Sequence, residues 1–190
     1  LTVMPGQARV PGGIASPSDR APLTLDDAQA LEERGTVIAA VQPEMARSLQ
    51  VQYRDKNTNT TVTGTTANYP EVRKFKLDAG RMFSSAEDAG KQRLAVLGSQ
   101  VVTDLGAPTP EALIGADLRI NSVQFSVVGV LASKGQGGGF SNPDDQVLVP
   151  IQTARYRLVG GDRLAGSTMI CSRAASARAL ARPGRRNEGE

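Results

Sequence analysis

No histidine occurs anywhere in this chain, and cysteine occurs once, at Cys171. The first absence removes the commonest general base near neutral pH, the Ser-His-Asp and Cys-His arrangements, and every histidine metal site. The second removes an intrachain disulfide and any four-thiolate zinc site. A lone thiol in a strand-like stretch reads as a buried structural residue rather than a nucleophile. Scarce cysteine fits the cytoplasm and also the many periplasmic domains that do without disulfides, so it does not decide the compartment. Tryptophan is absent and aromatics reach only 4%, which leaves Val, Leu, Ile and Ala to build the core. No run approaches the roughly 18 apolar residues of a membrane span. The longest, Val127-Val128-Gly129-Val130-Leu131-Ala132, has the length of a strand. No signal peptide is visible, and a start at Leu1 reads as a fragment or a mature form.

Excess positive charge is also missing from most of the chain. The net +3 belongs to residues 173–190, which hold five arginines (Arg173, Arg178, Arg182, Arg185, Arg186) against Glu188 and Glu190, so the other 172 residues are neutral. A nucleic-acid surface needs Lys and Arg gathered on the folded body with aromatics between them, and the sequence shows neither. The Arg-rich end lacks periodicity and reads as a disordered tail.

What is present is a strand-rich pattern with short helices. Leu1 to Gly6 reads as a short strand ended by Pro5-Gly6, and residues 7–22, rich in Gly, Pro, Ser and Ala, as a flexible surface loop. Thr24 suits a helix N-cap, with Asp26 and Asp27 in the first turn, an apolar face of Leu25, Ala28 and Leu31, and Gly35 at the end. A strand from Val37 is interrupted at Pro43. Leu49, Val51 and Tyr53 alternate with polar residues, so with a turn at Asp55-Lys56-Asn57 and the Thr-rich residues 58–66 they make a hairpin. Asn68-Tyr69-Pro70 starts a helical turn reaching Lys74, and Ser84 caps a short acidic helix over 85–89. Residues 93–98 form a strand and 99–105 a helix. Leu118 and Ile120, the turn Asn121-Ser122, and residues 125–131 form a second hairpin. Strands at 146–150 and 168–172 and a helix over 153–158 complete an α+β chain.

The motifs with chemical interest resolve into ordinary structure. Residues 135–139 are glycine-rich but lack G-x-x-x-x-G-K-[ST], and Phe140 stands where a dinucleotide fingerprint needs its third glycine. A surface loop is the better reading. Asp144 and Asp145 lack the distal glutamate of a calcium loop and read as a solvated turn. Asp26-Asp27 answer to the helix dipole, and Asn59-Thr60-Thr61 is a short sequon match. No catalytic, cofactor-binding or metal residue is assigned, and the chain does not read as an enzyme.

Three stretches together resemble the periplasmic core domain of MacB-type ABC permeases, within the FtsX-like permease superfamily. They are Leu1-Thr2-Val3-Met4-Pro5-Gly6, then Arg93-Leu94-Ala95-Val96-Leu97-Gly98 with Leu113-Ile114-Gly115, then the run from Leu118 to Val149. In that run lie Phe125-Ser126-Val127-Val128-Gly129-Val130, the glycine loop and Asp144-Asp145-Gln146-Val147-Leu148-Val149-Pro150, and Gln152-Thr153-Ala154-Arg155 continues the match. The resemblance covers roughly residues 1–172. It implies a two-lobed periplasmic domain: a porter-like α/β sandwich lobe from 1–76 and 151–190, with an inserted, smaller mixed α+β lobe at 77–150. The change of sequence style near Leu77 agrees with that boundary. It also implies an ABC ATPase reached through membrane helices, a homodimer in the full-length permease, and a periplasmic adaptor with an outer-membrane channel. The family pattern would end in a strand and an amphipathic helix. Residues 173–190 instead carry Ala, Arg and Pro183-Gly184, as a truncated, frameshifted or divergent end would.

Three functions compete on this basis: an export module coupled to ATP hydrolysis, a regulatory ectodomain controlling a periplasmic cell-wall hydrolase, and an unrelated soluble hydrolase with a pocket of perturbed carboxylates. The glycine loop near Phe140 and the loop at 7–22 are the candidate partner surfaces.

Overall fold

The structure, a computed structural model, describes the backbone of residues 2–3, 9–10, 13–14, 30, 38–135, 142–159 and 167–173, with side chains at 30, 41–135 and 142–158. Eleven strands appear among these residues. Three are short: β1 (Thr2–Val3), β2 (Arg9–Val10) and β3 (Gly13–Ile14). The main ones are β4 (Ile38–Tyr53), β5 (Lys56–Thr65), β6 (Leu77–Gly80), β7 (Leu94–Leu97), β8 (Asp117–Ile120), β9 (Val123–Leu131), β10 (Gln146–Pro150) and β11 (Ser167–Arg173). Between them lie the short helices α1 (Tyr69–Arg73), α2 (Ser85–Ala89), α3 (Ser99–Asp104) and α4 (Ile151–Thr153), and a 3-10 turn at Pro110–Leu113. The α+β class read from the sequence is the class found.

The pairings close on themselves. β4 pairs with β5, β5 with β10, β10 with β7, β7 with β9, β9 with β8, and β8 returns to β4 through Val51↔Ile120 and Gln52↔Arg119. Closure removes the exposed edges that an open sheet would leave. β6 hangs on β9, while β11 and then β1 extend the sheet from the first half of β4.

Alternation explains why this circuit forms. Successive strand residues face opposite sides, and in β7, in β10 and over residues 129–131 of β9 both sides are covered. Ala95, Leu97, Val127, Val130, Val147 and Val149 join Met45, Val51, Val62, Leu118, Ile120 and Phe125 in the larger core. Their neighbours Val96, Leu131 and Leu148 face the other way and pack with Tyr69 and Phe83 in a second cluster. That double burial is why 94–97 and 147–150 read as unbroken apolar runs. β8 buries one side only and alternates accordingly. Gly129 permits the bulge in β9, because a Cβ there would strike the Arg81 carbonyl oxygen.

Several sequence expectations shift. β4 runs unbroken through Pro43, which pairs with Met169 of β11. Its pairing with β5 begins only at Met45↔Gly64, so Pro43 has a strand on one side, where a residue without N–H is tolerated. The hairpin turns at Arg54-Asp55 rather than at 55–57, with Arg54 at φ 52° and Tyr53 opposite Lys56. The second hairpin turns as expected at Asn121-Ser122, φ 46° and 69°, the positive pair that matches strand twist. The expected helix over 153–158 begins earlier, at Ile151, and widens into a π-helical turn over Ala154–Val159. Within the expected loop at 7–22, β2 and β3 pair as a small hairpin. The helix expected after Thr24 lies outside the described residues except for Ala30, which is helical. Among the described residues no helix is long and apolar enough to cross a membrane.

Ser84 closes a capping box on α2, accepting from the Glu87 amide while the Glu87 carboxylate accepts from the Ser84 amide. Ser84→Ala is expected to lower stability by about 1 kcal/mol. Phe125→Ala, at a fully buried position, is expected to cost about 3–5 kcal/mol. Urea unfolding of both variants checks the contrast, and equal losses would contradict this placement of the core.

Candidate functional site

Two grooves flank the closed circuit. The first, of about 760 Å3, lies between β4, β5, α1 and the segment entering β10. Its rim is built on Asp144. Read from sequence as a solvated turn residue, Asp144 is in fact buried, 7% exposed. Its carboxylate accepts from the Ser133 hydroxyl at 2.8 Å and from the amides of Lys134 at 2.9 Å and Gly135 at 3.0 Å. One side chain thus joins the two strands of chain that border the glycine loop. Gly98, distant in sequence, lets its backbone lie against the Asp144 carbonyl, where a Cβ would collide, and its amide donates to the Gln146 carbonyl at 2.8 Å. Asp145 is also engaged, accepting from the Thr60 hydroxyl.

The opposite wall carries an ion pair that sequence spacing did not suggest. Arg73 donates to Glu44 through Nε at 2.9 Å and Nη2 at 2.6 Å. Gln42, fully buried, donates to Glu44 at 2.9 Å and to the Thr65 hydroxyl at 2.7 Å. Tyr69 stacks on Phe75 with centroids 5.7 Å apart and donates its hydroxyl to Gln146 at 3.0 Å. Lys134 sits 4.4 Å over the Phe75 ring and donates to the Arg73 carbonyl. Burial pushes the Tyr69 phenol up to about 12, against the pull of the Gln146 hydrogen bond.

The second groove, of about 660 Å3, lies where β7 joins β9. Lys91, Arg93 and Arg157 line it together with Asp117, Gln124 and Ser126. Asp117 accepts from the Ser126 hydroxyl at 2.6 Å and from Gln124 at 2.8 Å, and these bonds hold its carboxyl below the usual range. The α4 end of the groove is fixed by buried Asp88, which accepts from the Gln152 amide at 2.9 Å, and by Thr153, which donates to the Gln92 carbonyl at 2.8 Å. Burial pushes the Asp88 carboxyl up, opposed by the amides of Gln152 and Ile151.

Most of the remaining sequence candidates lie outside the described side chains. Cys171 lies in β11 opposite Val41, and its side chain is outside the described residues. Asn59 is exposed on β5. Asp26 and Asp27, and all of the glycine loop after Gly135, lie outside the described residues. Among the described residues no three Cys, Asp or Glu side chains are grouped to hold a metal ion. The grooves pair hydroxyls with carboxylates, Ser126 with Asp117 in the second and Thr60 with Asp145 beside the first, and the second adds the cations Lys91, Arg93 and Arg157.

Asp144→Ala removes three acceptor contacts. Because Ser133, Lys134 and Gly135 are exposed and water replaces part of the loss, the expected cost is about 1 kcal/mol. Hydrogen exchange should accelerate at the Lys134 and Gly135 amides and stay unchanged in β9. Asp144→Asn, which keeps one acceptor oxygen, should fall between. For Tyr69 the neutral phenol is favoured in the folded state. Its stabilising contribution is therefore complete below about pH 10 and is lost as pH rises towards about 12. Alkaline unfolding curves of the protein and of Tyr69→Phe should differ in slope in that window and run parallel below it.

The comparisons with known proteins agree with one another. A family model described as the MacB-like periplasmic core domain matches residues 1–182. The macrolide export ATP-binding/permease protein MacB of Bdellovibrio bacteriovorus is 36% identical over 161 residues, which cover 84% of this chain and 24% of that protein. The pyoverdine export ATP-binding/permease protein PvdT of Pseudomonas putida is 31% identical over 150 residues, 79% of this chain and 22% of that one. The chain spans about a quarter of the length of such relatives. In fold it is similar to the crystal structure of the periplasmic region of MacB from Actinobacillus actinomycetemcomitans, with a TM-score of 0.68 and 22% identity, covering 83% of this chain and 67% of that one. The extracellular domain of the noncanonic ABC-type transporter YknZ from Gram-positive bacteria gives a TM-score of 0.66 at 18% identity, covering 82% of this chain and 75% of that one. On the family match and the sequence identities, the chain belongs to the MacB-like periplasmic core domains, the periplasmic part of an ABC-transporter permease.

Proposed function

We propose that this domain couples ATP hydrolysis in the cytoplasm to movement in the periplasm, for export of a substrate by a MacB-type permease, and performs no bond-making chemistry itself. The family match over residues 1–182 carries this reading, and the export roles printed in the names of its relatives support it. An ABC ATPase acts through membrane helices, two copies pair in the full-length permease, and an adaptor and outer-membrane channel receive the substrate. The domain is two-lobed, with a porter-like lobe at 1–76 and 151–190 and a smaller lobe at 77–150.

The strand arrangement supplies a physical route for such coupling. β1 and β11 lie side by side, Thr2 opposite Ile170, and β11 pairs in turn with the first half of β4. β4 is 16 residues long, about 50 Å at the usual rise, and its second half is a stave of the closed circuit. A displacement applied at β1 and β11 therefore reaches the circuit through one continuous strand rather than through a hinge. Such a part needs firm internal packing and outward contact surfaces.

The test is made in cells carrying the complete permease gene. Its deletion should raise accumulation of a fluorescent macrolide or of a siderophore, and the intact gene should restore efflux while a version lacking residues 77–150 should not. Unchanged accumulation, together with altered cell separation on deletion, would sink the export reading in favour of control of a cell-wall hydrolase.

A further inference from the structure

The second groove has features that the transporter reading leaves unused. Outside residues 173–190 the chain is electrically neutral, yet here three cations meet one carboxylate. Arg93 and Arg157 are exposed, and neither has an ion-pair partner among the described residues. Lys91 lies 3.9 Å over the ring of Tyr156, itself 53% exposed, and so joins the turn entering β7 to the π-helical turn. Such wide turns recur at functional sites because they push side chains outward, and this one presents Tyr156 and Arg157. Among the described residues Asp117 is the only carboxylate lining the groove, and it accepts from Ser126 and Gln124 rather than from either arginine.

The floor has a second property. β9 begins at Val123, but β7 joins it only at Leu94↔Ser126, where the Ser126 amide donates to the Arg93 carbonyl at 2.9 Å. Residues 123–125 therefore pair with β8 alone and leave one side of β9 open to the groove. An open strand side flanked by arginines suits an extended chain that adds main-chain bonds while its side chains meet positive charge. The volume, about 660 Å3, falls within the roughly 300–1,000 Å3 of binding clefts.

We infer that the groove bounded by Lys91, Arg93, Arg157 and the open side of β9 at 123–125 is a docking site for an extended acidic peptide segment of a partner protein. The site belongs to the isolated domain, so it stands or falls independently of whether the complete permease exports anything.

The probe is a labelled oligoglutamate peptide, titrated against this chain by fluorescence anisotropy. Saturable binding is expected, at least about tenfold weaker in the double variant Arg93→Glu/Arg157→Glu and unchanged in Arg47→Glu, an exposed arginine of β4 away from the groove. The milder pair Arg93→Gln/Arg157→Gln, with its melting curve, guards against loss by unfolding. Binding should also weaken from about 0.1 M to about 1 M salt, as screening shortens from about 10 Å to about 3 Å. Amide exchange at Gln124 should slow in the complex. Absence of binding overturns the inference, as does equal loss in Arg47→Glu. Full competition by inorganic phosphate would replace the peptide site with a simple anion site. Arginine-dependent binding to phosphatidylglycerol vesicles in place of the peptide would replace it with a membrane contact.

Discussion

The sheet is held by strands that have no wet side. In β7, in β10 and at the end of β9 consecutive residues bury in opposite directions, Ala95 and Leu97 into one cluster, Val96 into the other. Every other element serves that double burial. α1 and the segment around Phe83 cover one face, while β4, β5 and β8 wrap the other. A polar substitution at 95–97 or 147–149 has no direction in which to reach water, so these strands tolerate less change than β8, where alternate positions are exposed.

Polar side chains are used where strands stop. Asp144 ties down both borders of the glycine loop, Asp88 receives an amide at the start of α4, and Glu44 binds Arg73 at the end of α1. Asp144 and Asp88 answer main-chain amides left over by a turn or a helix start, and Glu44 answers the side chains of Arg73 and Gln42. Their partners make them fasteners between elements distant in sequence.

Much of the fold was legible in the sequence because the period-two pattern survives wherever one face is exposed. Leu49, Val51 and Tyr53 announced the first hairpin, and Leu118, Ile120 and Asn121-Ser122 the second. Ser84 announced the cap of α2, and the structure added Glu87 as its reciprocal partner. What escaped depended on distant pairing. Pro43 looked like a break because nothing local tells that its strand has a neighbour on one side only. Asp144 looked solvated because its burial requires Gly98, far away in sequence, to lie flat against it. The basic groove was invisible for the same reason: Lys91 and Arg93 are separated by many residues from Arg157, and the neutral total conceals them. The family resemblance, in contrast, rested on ordered strings of residues and needed no geometry.

The parallel contact of β5 with β10 joins residues as far apart as Thr60 and Asp145, 85 positions along the chain. During synthesis β5 emerges long before the strand that covers its side, and it waits with main-chain groups exposed until residue 150 has followed. A Thr-rich strand in that condition is a template for pairing with other nascent chains. Its composition is suited to the wait: the waiting edge is lined by threonine hydroxyls that water solvates well, and its partner segment Val147-Leu148-Val149, the stickier of the two, is made last and covered at once. The order of the strands along the chain thus leaves the more apolar of the two paired segments to be made second.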